Sequence, residues 1–447
     1  MKRNAVAVAV GALFIAPAAQ AQIVFGNDTI GTVQFYGKLY PQYGYAKSKD
    51  ATQPGESVST LVGASVTNQT IPAGGPITTP GARQAVDVQN SYLGFRGERD
   101  LGSALRGFKA FWQIETAINF DDPGCDPGTS CAGFSTRNSF LGLRTSFGTV
   151  KLGNMDTIYK EYGDPFAMFG ISSGNFVSAS NVLSHIGVGR DRSARFHERA
   201  RNSIQLETPQ IAGFTAGFQY SPDEAKGEEK RTLSSSTFMS TRKAPVGANQ
   251  SLYSYGIKYD SQRFYVSVHQ ERHNDFFGGS NNVGLTSLRN RDDTGAHSRD
   301  TATRLSAEFR YAEQGRVTFD VAQLKYKESL APTVAPSTVR FDSYKHATWA
   351  VGWEQGFGGP WRFATQYVRG TEGTCTLTGG ADCSTRGLYG YMLNAGVQYR
   401  LDRQTFLYAI ASKLVNGPSA RYDNWAANDP ERGADILQAA IGVSYSF

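Results

Sequence analysis

Apolar residues recur at every second position in much of this chain. In the last segment Ile441, Val443, Tyr445 and Phe447 fall on one face; Gly442, Ser444 and Ser446 fall on the other. A period of two marks a β-strand with one apolar and one polar side. Phe35, Leu39 and Tyr43 mark a first strand, Leu93 and Phe95 a second. Phe108, Ala110, Trp112 and Ile114 mark a third, with Lys109, Phe111, Gln113 and Glu115 on its other face. Paired runs follow around turns, such as Leu141 and Leu143 with Val150 and Leu152 about Phe147-Gly148. Further pairs extend to Phe406, Tyr408 and Ile410 and the terminal strand, giving sixteen strands.

The connections alternate in length. Short ones include Ser146–Thr149, Thr208–Gly213, Asp260–Arg263 and Leu401–Gln404. Long ones include Lys47–Asn90, Met155–Ala200, Ser221–Ser251 and Glu271–Thr303. An even strand count, short turns at one end and long loops at the other predict an all-β fold, a transmembrane antiparallel β-barrel. Closure satisfies every backbone hydrogen bond in lipid without a free edge. Sixteen strands leave more room than side chains fill, so a watery channel is expected. Tyr43, Trp112, Tyr220, Trp349, Trp361 and Tyr399 lie on apolar faces, as interfacial girdles require. A soluble sandwich gives no reason for the alternation of loop lengths.

Composition agrees. Aromatics make up 12% of the chain, charged residues only 19%, and there are 49 glycines. A disordered chain would be charge-rich and aromatic-poor. At the start, Lys2 and Arg3 precede an apolar run from Ala5 to Ala16, then Pro17 and Ala19-Gln20-Ala21. This predicts a signal peptide over 1–21 and a barrel domain over 22–447. The apolar run is too short for a membrane helix. Losing Lys2 and Arg3 leaves the charge near neutral, so no nucleic-acid partner is expected. An outer-membrane location follows, with Phe447 at the end of an alternating strand as an assembly signal.

Particular stretches resemble the general porins of β-proteobacteria. Asn90-Ser91-Tyr92-Leu93-Gly94-Phe95-Arg96-Gly97-Glu98 is similar to their second strand, and Gly107 to Glu115 to their third. Phe147-Gly148-Thr149-Val150-Lys151-Leu152-Gly153 is similar to their turn into strand five, and Asp164-Pro165-Phe166 falls in the third loop. The resemblance covers essentially the whole chain beyond the signal peptide. It implies a homotrimer of sixteen-stranded barrels in outer-membrane lipid and lipopolysaccharide. It also implies passive passage of ions and small hydrophilic solutes, with loop three folded into the lumen. The sequence departs from the family at Tyr92 and Asn154, where basic residues are usual or frequent.

Selectivity needs fixed charge where the lumen is narrow. Loop three supplies Glu161 and Asp164; lumen faces of early strands supply Lys38, Arg96, Lys109, Arg144 and Lys151. An acidic loop facing a basic wall is therefore expected at the constriction. A solute-specific porin is the alternative, with Tyr36, Tyr40 and Tyr92 as a stacking slide along the lumen.

The four cysteines suit an oxidising exterior. Cys125 and Cys131 share one loop, Cys375 and Cys383 another, so local pairing within each is expected. No metal or cofactor is expected. His269-Gln270-Glu271-Arg272-His273 lies on a strand and lacks the Glu directly after the first His that a zinc helix needs. An outer-membrane barrel enzyme would need a nucleophile and base that the sequence does not bring together, so no catalytic residue is assigned.

Overall fold

The structure, a computed structural model, describes residues 23–27, 31–59, 61, 66–67, 82–88, 90–102, 105, 107–118, 137–187, 196–222, 251–274, 298–312, 314–328, 341–424 and 430–447. The signal peptide and the Cys125–Cys131 pair lie outside them.

The first strands are β1 (Ile23–Asn27), β2 (Gly31–Leu39), β3 (Gln42–Lys49), β4 (Arg83–Asp87) and β5 (Tyr92–Asp100). Next come β6 (Lys109–Ala117), β7 (Ser139–Thr145), β8 (Gly148–Asp156), β9 (Arg199–Glu207), β10 (Phe214–Pro222) and β11 (Ser251–Asp260). Then follow β12 (Phe264–Asn274), β13 (Ser298–Ala312), β14 (Gly315–Glu328), β15 (Phe341–Gly356) and β16 (Trp361–Gly370). The last are a loop hairpin, β17 (Thr374–Leu377) and β18 (Asp382–Cys383), and β19 (Gly390–Arg400), β20 (Thr405–Asn416) and β21 (Asp435–Ser446).

Neighbours pair antiparallel throughout. β21 closes the ring on β3, and at its end on Lys38 and Leu39 of β2. Counting β2 with β3 and β4 with β5 as single interrupted strands, the barrel has sixteen. The interruptions have a local cause. Pro41 has no N–H to give the ladder, and Tyr40 N instead donates to Ser91 Oγ of the facing break at 2.8 Å.

Two boundaries differ from the sequence expectation. The second strand begins at Arg83, within the expected first loop, because its upper part pairs with β3 from Gln42 to Ala46. β1 is an additional element. It pairs with β2, Ile23 opposite Phe35, in the column where β21 stops. Phe447 exchanges two backbone hydrogen bonds with Gly37 there, each 3.0 Å. A Cβ at Gly37 would meet the Phe447 ring at 2.6 Å, so the seam needs a glycine.

The side-chain alternation is a solvent partition. On β12, Phe264, Val266 and Val268 point outward and are exposed, while Ser267, His269 and Glu271 point inward and are buried. The wall is uneven in height. β7 has seven residues; β13, β14 and β15 have 15, 14 and 16.

Candidate functional site

The segment after β8 turns inward. Thr157 caps helix α1 (Ile158–Tyr162), its Oγ1 accepting from Lys160 N at 3.3 Å. A cap of this kind satisfies one orphan donor of the first turn. A 3-10 turn over Met168–Gly170 and helix α2 (Ser180–Leu183) follow.

Hydrogen bonds from inward-facing side chains fasten this loop. Tyr265 Oη and Ser267 Oγ on β12 donate to the Tyr162 carbonyl at 2.6 and 2.8 Å. Arg316 of β14 donates to the Pro165 carbonyl at 3.2 Å. At the far side Tyr40 Oη and Lys38 Nζ donate to the Gly170 carbonyl at 2.6 and 3.2 Å. The return limb takes donation from Asn394 to Val177 (2.9 Å) and from Thr348 to Leu183 (2.9 Å). The loop thus reaches from β12 to β2 on inner faces. Buried Phe166, Met168, Phe169, Ile171, Phe176 and Val177 form a cluster with Tyr40, Tyr408 and Ile410 beneath it.

Glu161 is exposed on this loop, its Oε2 accepting from Gln205 Nε2 at 3.5 Å. Its carboxyl is held above the usual range by surrounding protein, with Lys151 pulling the other way and Glu207 and Asp156 adding repulsion. Asp164 stands 3.8 Å from His197 Nε2. Loss of hydration pushes its carboxyl up to about 6, opposed by the Arg304 guanidinium.

The basic residues do not form one group. Lys109 and Arg144 share Glu98, at 3.1 and 3.2 Å, next to the short turns. Lys38 lies against Gly170 with its ammonium 4.5 Å from the Tyr40 ring. Arg96 donates to Gln34, its guanidinium 4.8 Å from the Tyr36 ring. Lys151, on β8, bonds to Gln205 (2.7 Å) and Glu207 (3.5 Å), the same strand that holds Glu161. Lys151 is therefore the cation that shares a partner with a loop carboxylate. Lys109 and Arg144 instead belong to a cluster that Glu98 neutralises locally.

Three further clusters were not foreseen. Arg137 pairs with buried Glu115, which also accepts from Tyr36 Oη at 3.1 Å. Arg304 and Asp320 meet at 2.7 Å, both almost wholly buried. Glu308, Glu354, Arg310, Arg316 and Arg362 form a chain of ion pairs near the short turns. Period-two alternation puts all of these on inward faces, but it gives no depth. The distance between inward charges on neighbouring strands stays hidden until the register is known. Cys375 and Cys383 form a disulfide across the directly paired ends of β17 and β18.

A closed barrel with an apolar exterior, a charged interior and an inward loop defines a membrane-spanning β-barrel protein. The model of the Gram-negative porin family matches residues 5–416, and this chain belongs to that family. The major outer membrane protein P.IB of Neisseria lactamica is 29% identical over 176 residues, 39% of this chain and 40% of that protein. One from Neisseria gonorrhoeae is 31% identical over 137 residues, 31% of this chain and 34% of its own. The chain thus spans about two fifths of the length of the relatives it matches. Among solved structures, the anion-selective porin from Comamonas acidovorans superposes with a TM-score of 0.62 at 19% identity, covering 93% of this chain and 99% of that one. A trimer form of OmpT, an outer membrane protein of Vibrio cholerae, gives 0.55 at 14%, covering 93% and 99%. Those two likenesses concern the fold.

Proposed function

We propose that this protein is a general diffusion porin: a water-filled pore in the outer membrane that passes ions and small hydrophilic solutes passively. It performs no covalent chemistry. The observation that carries this reading is the loop's attachment to inner walls at β2, β12 and β14. A loop fastened that way narrows the lumen that sixteen strands enclose. Glu161 and Asp164 supply the negative side of the narrow zone, and Lys38, Arg96 and Lys151 the positive side. Lys109 and Arg144 act nearer the short-turn mouth, moderated by Glu98. The working unit is a homotrimer, a reading supported by family membership. Phe447, locked onto Gly37, serves as the terminal assembly signal.

A solute-specific porin is disfavoured by the tyrosines proposed for its slide. Tyr36 and Tyr40 are buried, with their hydroxyls donated to Glu115 and Gly170, and Tyr92 is half-buried with the Arg137 guanidinium 4.8 Å from its ring. They offer no open stacking surface.

Reconstitution in planar bilayers under a salt gradient tests the pore. Stepwise ohmic conductance is expected, with a finite reversal potential and no saturable block by a single sugar or organic acid. Purified protein that inserts without conducting overturns the pore. Saturable block by one solute class replaces it with the specific channel. Native mass measurement giving only monomers removes the trimer.

A further inference from the structure

The connection from β20 to β21, the eighth long loop, turns back into the barrel mouth at Tyr422. That ring is fully buried and packs with Val182 and Leu183 of α2, on the return limb of loop three. A single register row of the sheet receives it. Thr348 of β15 lies directly opposite Gly370 of β16, Gly370 opposite Gly390 of β19, and Gly390 opposite Asn416 of β20. All four are buried on the inner face.

The row holds two loops at once. At one end Thr348 Oγ1 donates to the Leu183 carbonyl of loop three at 2.9 Å. At the other, Asn416 grips the eighth loop by the backbone of Tyr422. Its Oδ1 accepts from Tyr422 N at 2.7 Å, and its Nδ2 donates to the Tyr422 carbonyl at 3.0 Å. The two glycines between them leave the space that the ring fills. A Cβ at Gly390 would stand 2.8 Å from Tyr422 Cε2, and one at Gly370 would stand 3.0 Å from Cζ and overlap the hydroxyl. Gly187 of loop three closes over the same ring, where a Cβ would stand 2.8 Å from Oη. The Gly187 carbonyl also accepts from Arg421 N at 2.8 Å.

The fit of the ring is steric. A buried tyrosine hydroxyl usually finds a partner, yet among the described residues Tyr422 Oη has none. Shape holds the ring, while Asn416 and Gly187 hold the backbone. The eighth loop is braced from behind. Thr52 Oγ1 donates to the Pro418 carbonyl at 2.7 Å, Ser59 N donates to Ser419 Oγ at 2.8 Å, and Arg421 pairs with Glu431 at 2.9 Å. The return limb of loop three is thus gripped between the wall at Thr348 and a wedge that cannot back away.

We propose that Tyr422 is a positioning residue for the narrow zone: it wedges the eighth loop against α2 and Gly187 and so sets the return limb of loop three. It touches no solute. The proposal rests on the reading of loop three as the element that narrows the pore. Its consequence is a mechanical link from the outer surface to the lumen, because whatever shifts the eighth loop also shifts loop three.

The test reads the loop and the current separately, on the full chain. Ser184 is fully buried, three residues before Gly187. Ser184→Cys with a methanethiosulfonate reagent reports release of the limb whether or not the protein conducts, with the protein lacking that substitution as background. With Tyr422→Ala the reporter should react at least about tenfold faster, a local opening made easier by about 1.4 kcal/mol. Open-channel current noise in planar bilayers should rise in Tyr422→Ala without the reporter. Tyr422→Phe should match the parent in both readouts, because the hydroxyl has no partner to lose. Gly390→Ala should reproduce Tyr422→Ala by expelling the ring. Combining the two should add nothing, since the new Cβ then has room. An unchanged reporter rate in Tyr422→Ala overturns the proposal, even where its melting temperature falls, because Tyr422 is then a packing residue only. Additive effects of Gly390→Ala and Tyr422→Ala overturn it, as does a Tyr422→Phe that behaves like Tyr422→Ala. A parent that does not conduct, with reporter rates as expected, removes the diffusion-pore reading and leaves the clamp standing. Tyr422→Leu, which keeps apolar bulk without the reach of the ring, serves where Tyr422→Ala does not insert.

Discussion

The low wall, β5 to β9, and the tall wall, β13 to β15, are built from the same alternating pattern and do opposite things with their inner faces. On the low wall two inward cations next to the short turns stay open to solvent. Lys109 and Arg144 are about two fifths exposed while paired to Glu98. On the tall wall the inner face is a core. Tyr159 and Phe196, from either end of the loop, pack with Ala302, Leu324, Tyr326 and Tyr344, all buried. The charges there are buried too, Arg304 and Asp320 at 3% exposure each. Strand length separates the two: seven to nine residues against 14 to 16. The added height of the tall wall gives loop three a surface to dry, and the low wall near the short turns keeps its charges open to solvent.

Removing one cation from each wall is the strongest way to break that comparison. Arg304→Ala leaves the Asp320 carboxylate buried without its partner, which costs about 3–5 kcal/mol. Arg144→Ala breaks an exposed pair worth at most about 1 kcal/mol. Thermal unfolding followed by circular dichroism should separate the two by several degrees. Arg304→Ala should also add open-channel current noise, because Arg304 approaches the Gly163 backbone at the start of the loop. Equal melting of the two variants would mean that the tall wall is not a core.

Strand number, the short turns and the outward faces were all legible in the chain, because lipid on one side and water on the other impose a period of two. Tyr40–Pro41 shows where that legibility ends. A proline and a facing break interrupt two strands while pairing resumes beyond, and the stretch before Asn90 reads as loop until the β3 register is known. The lumen charges show a second limit. Lys109, Arg144 and Lys151 share inward parity, yet Glu98 claims the first two and Gln205 links the third to Glu161. Parity fixes a side; only register and strand tilt fix height.

The second prediction concerns the water-filled side. Glu161→Gln with Asp164→Asn removes negative charge at nearly constant size and leaves Lys38 and Arg96 without a facing loop carboxylate and Lys151 with Glu207 alone. The reversal potential should move towards anions. The shift should be largest at low salt, because the Debye length is about 30 Å at 0.01 M and about 3 Å at 1 M. An unchanged potential would place both carboxylates outside the conducting path.

Acidification should act in the same direction with smaller amplitude. Asp164 titrates at about 6 and Glu161 above the usual carboxylate range. Protonation removes negative charge, so the parent channel should become more anion-preferring as pH falls from 8 to 5. The double variant should lose most of this dependence. A parent profile flat across that interval would contradict the raised Asp164 value.

The smallest effect is expected far from both walls, at the Cys375–Cys383 hairpin. Its sulfurs bridge paired strand ends, and Leu377 N donates to the Ala381 carbonyl at 2.7 Å inside the turn. β17 also pairs along β15, with Ser343 and Thr376 hydroxyls 2.7 Å apart. The backbone therefore holds the hairpin after reduction, and the lost constraint is the closure of a short loop, about 2–3 kcal/mol. That loss falls on the hairpin alone, because the barrel ladder on β15 continues through Gly356 to β14 and β16. Cys375→Ser with Cys383→Ser should leave conductance and barrel melting unchanged while accelerating proteolytic cleavage between 377 and 383. A lower barrel melting temperature in that variant would show that the hairpin braces the tall wall, and the division between a dry core and a loop cap would then have to be redrawn.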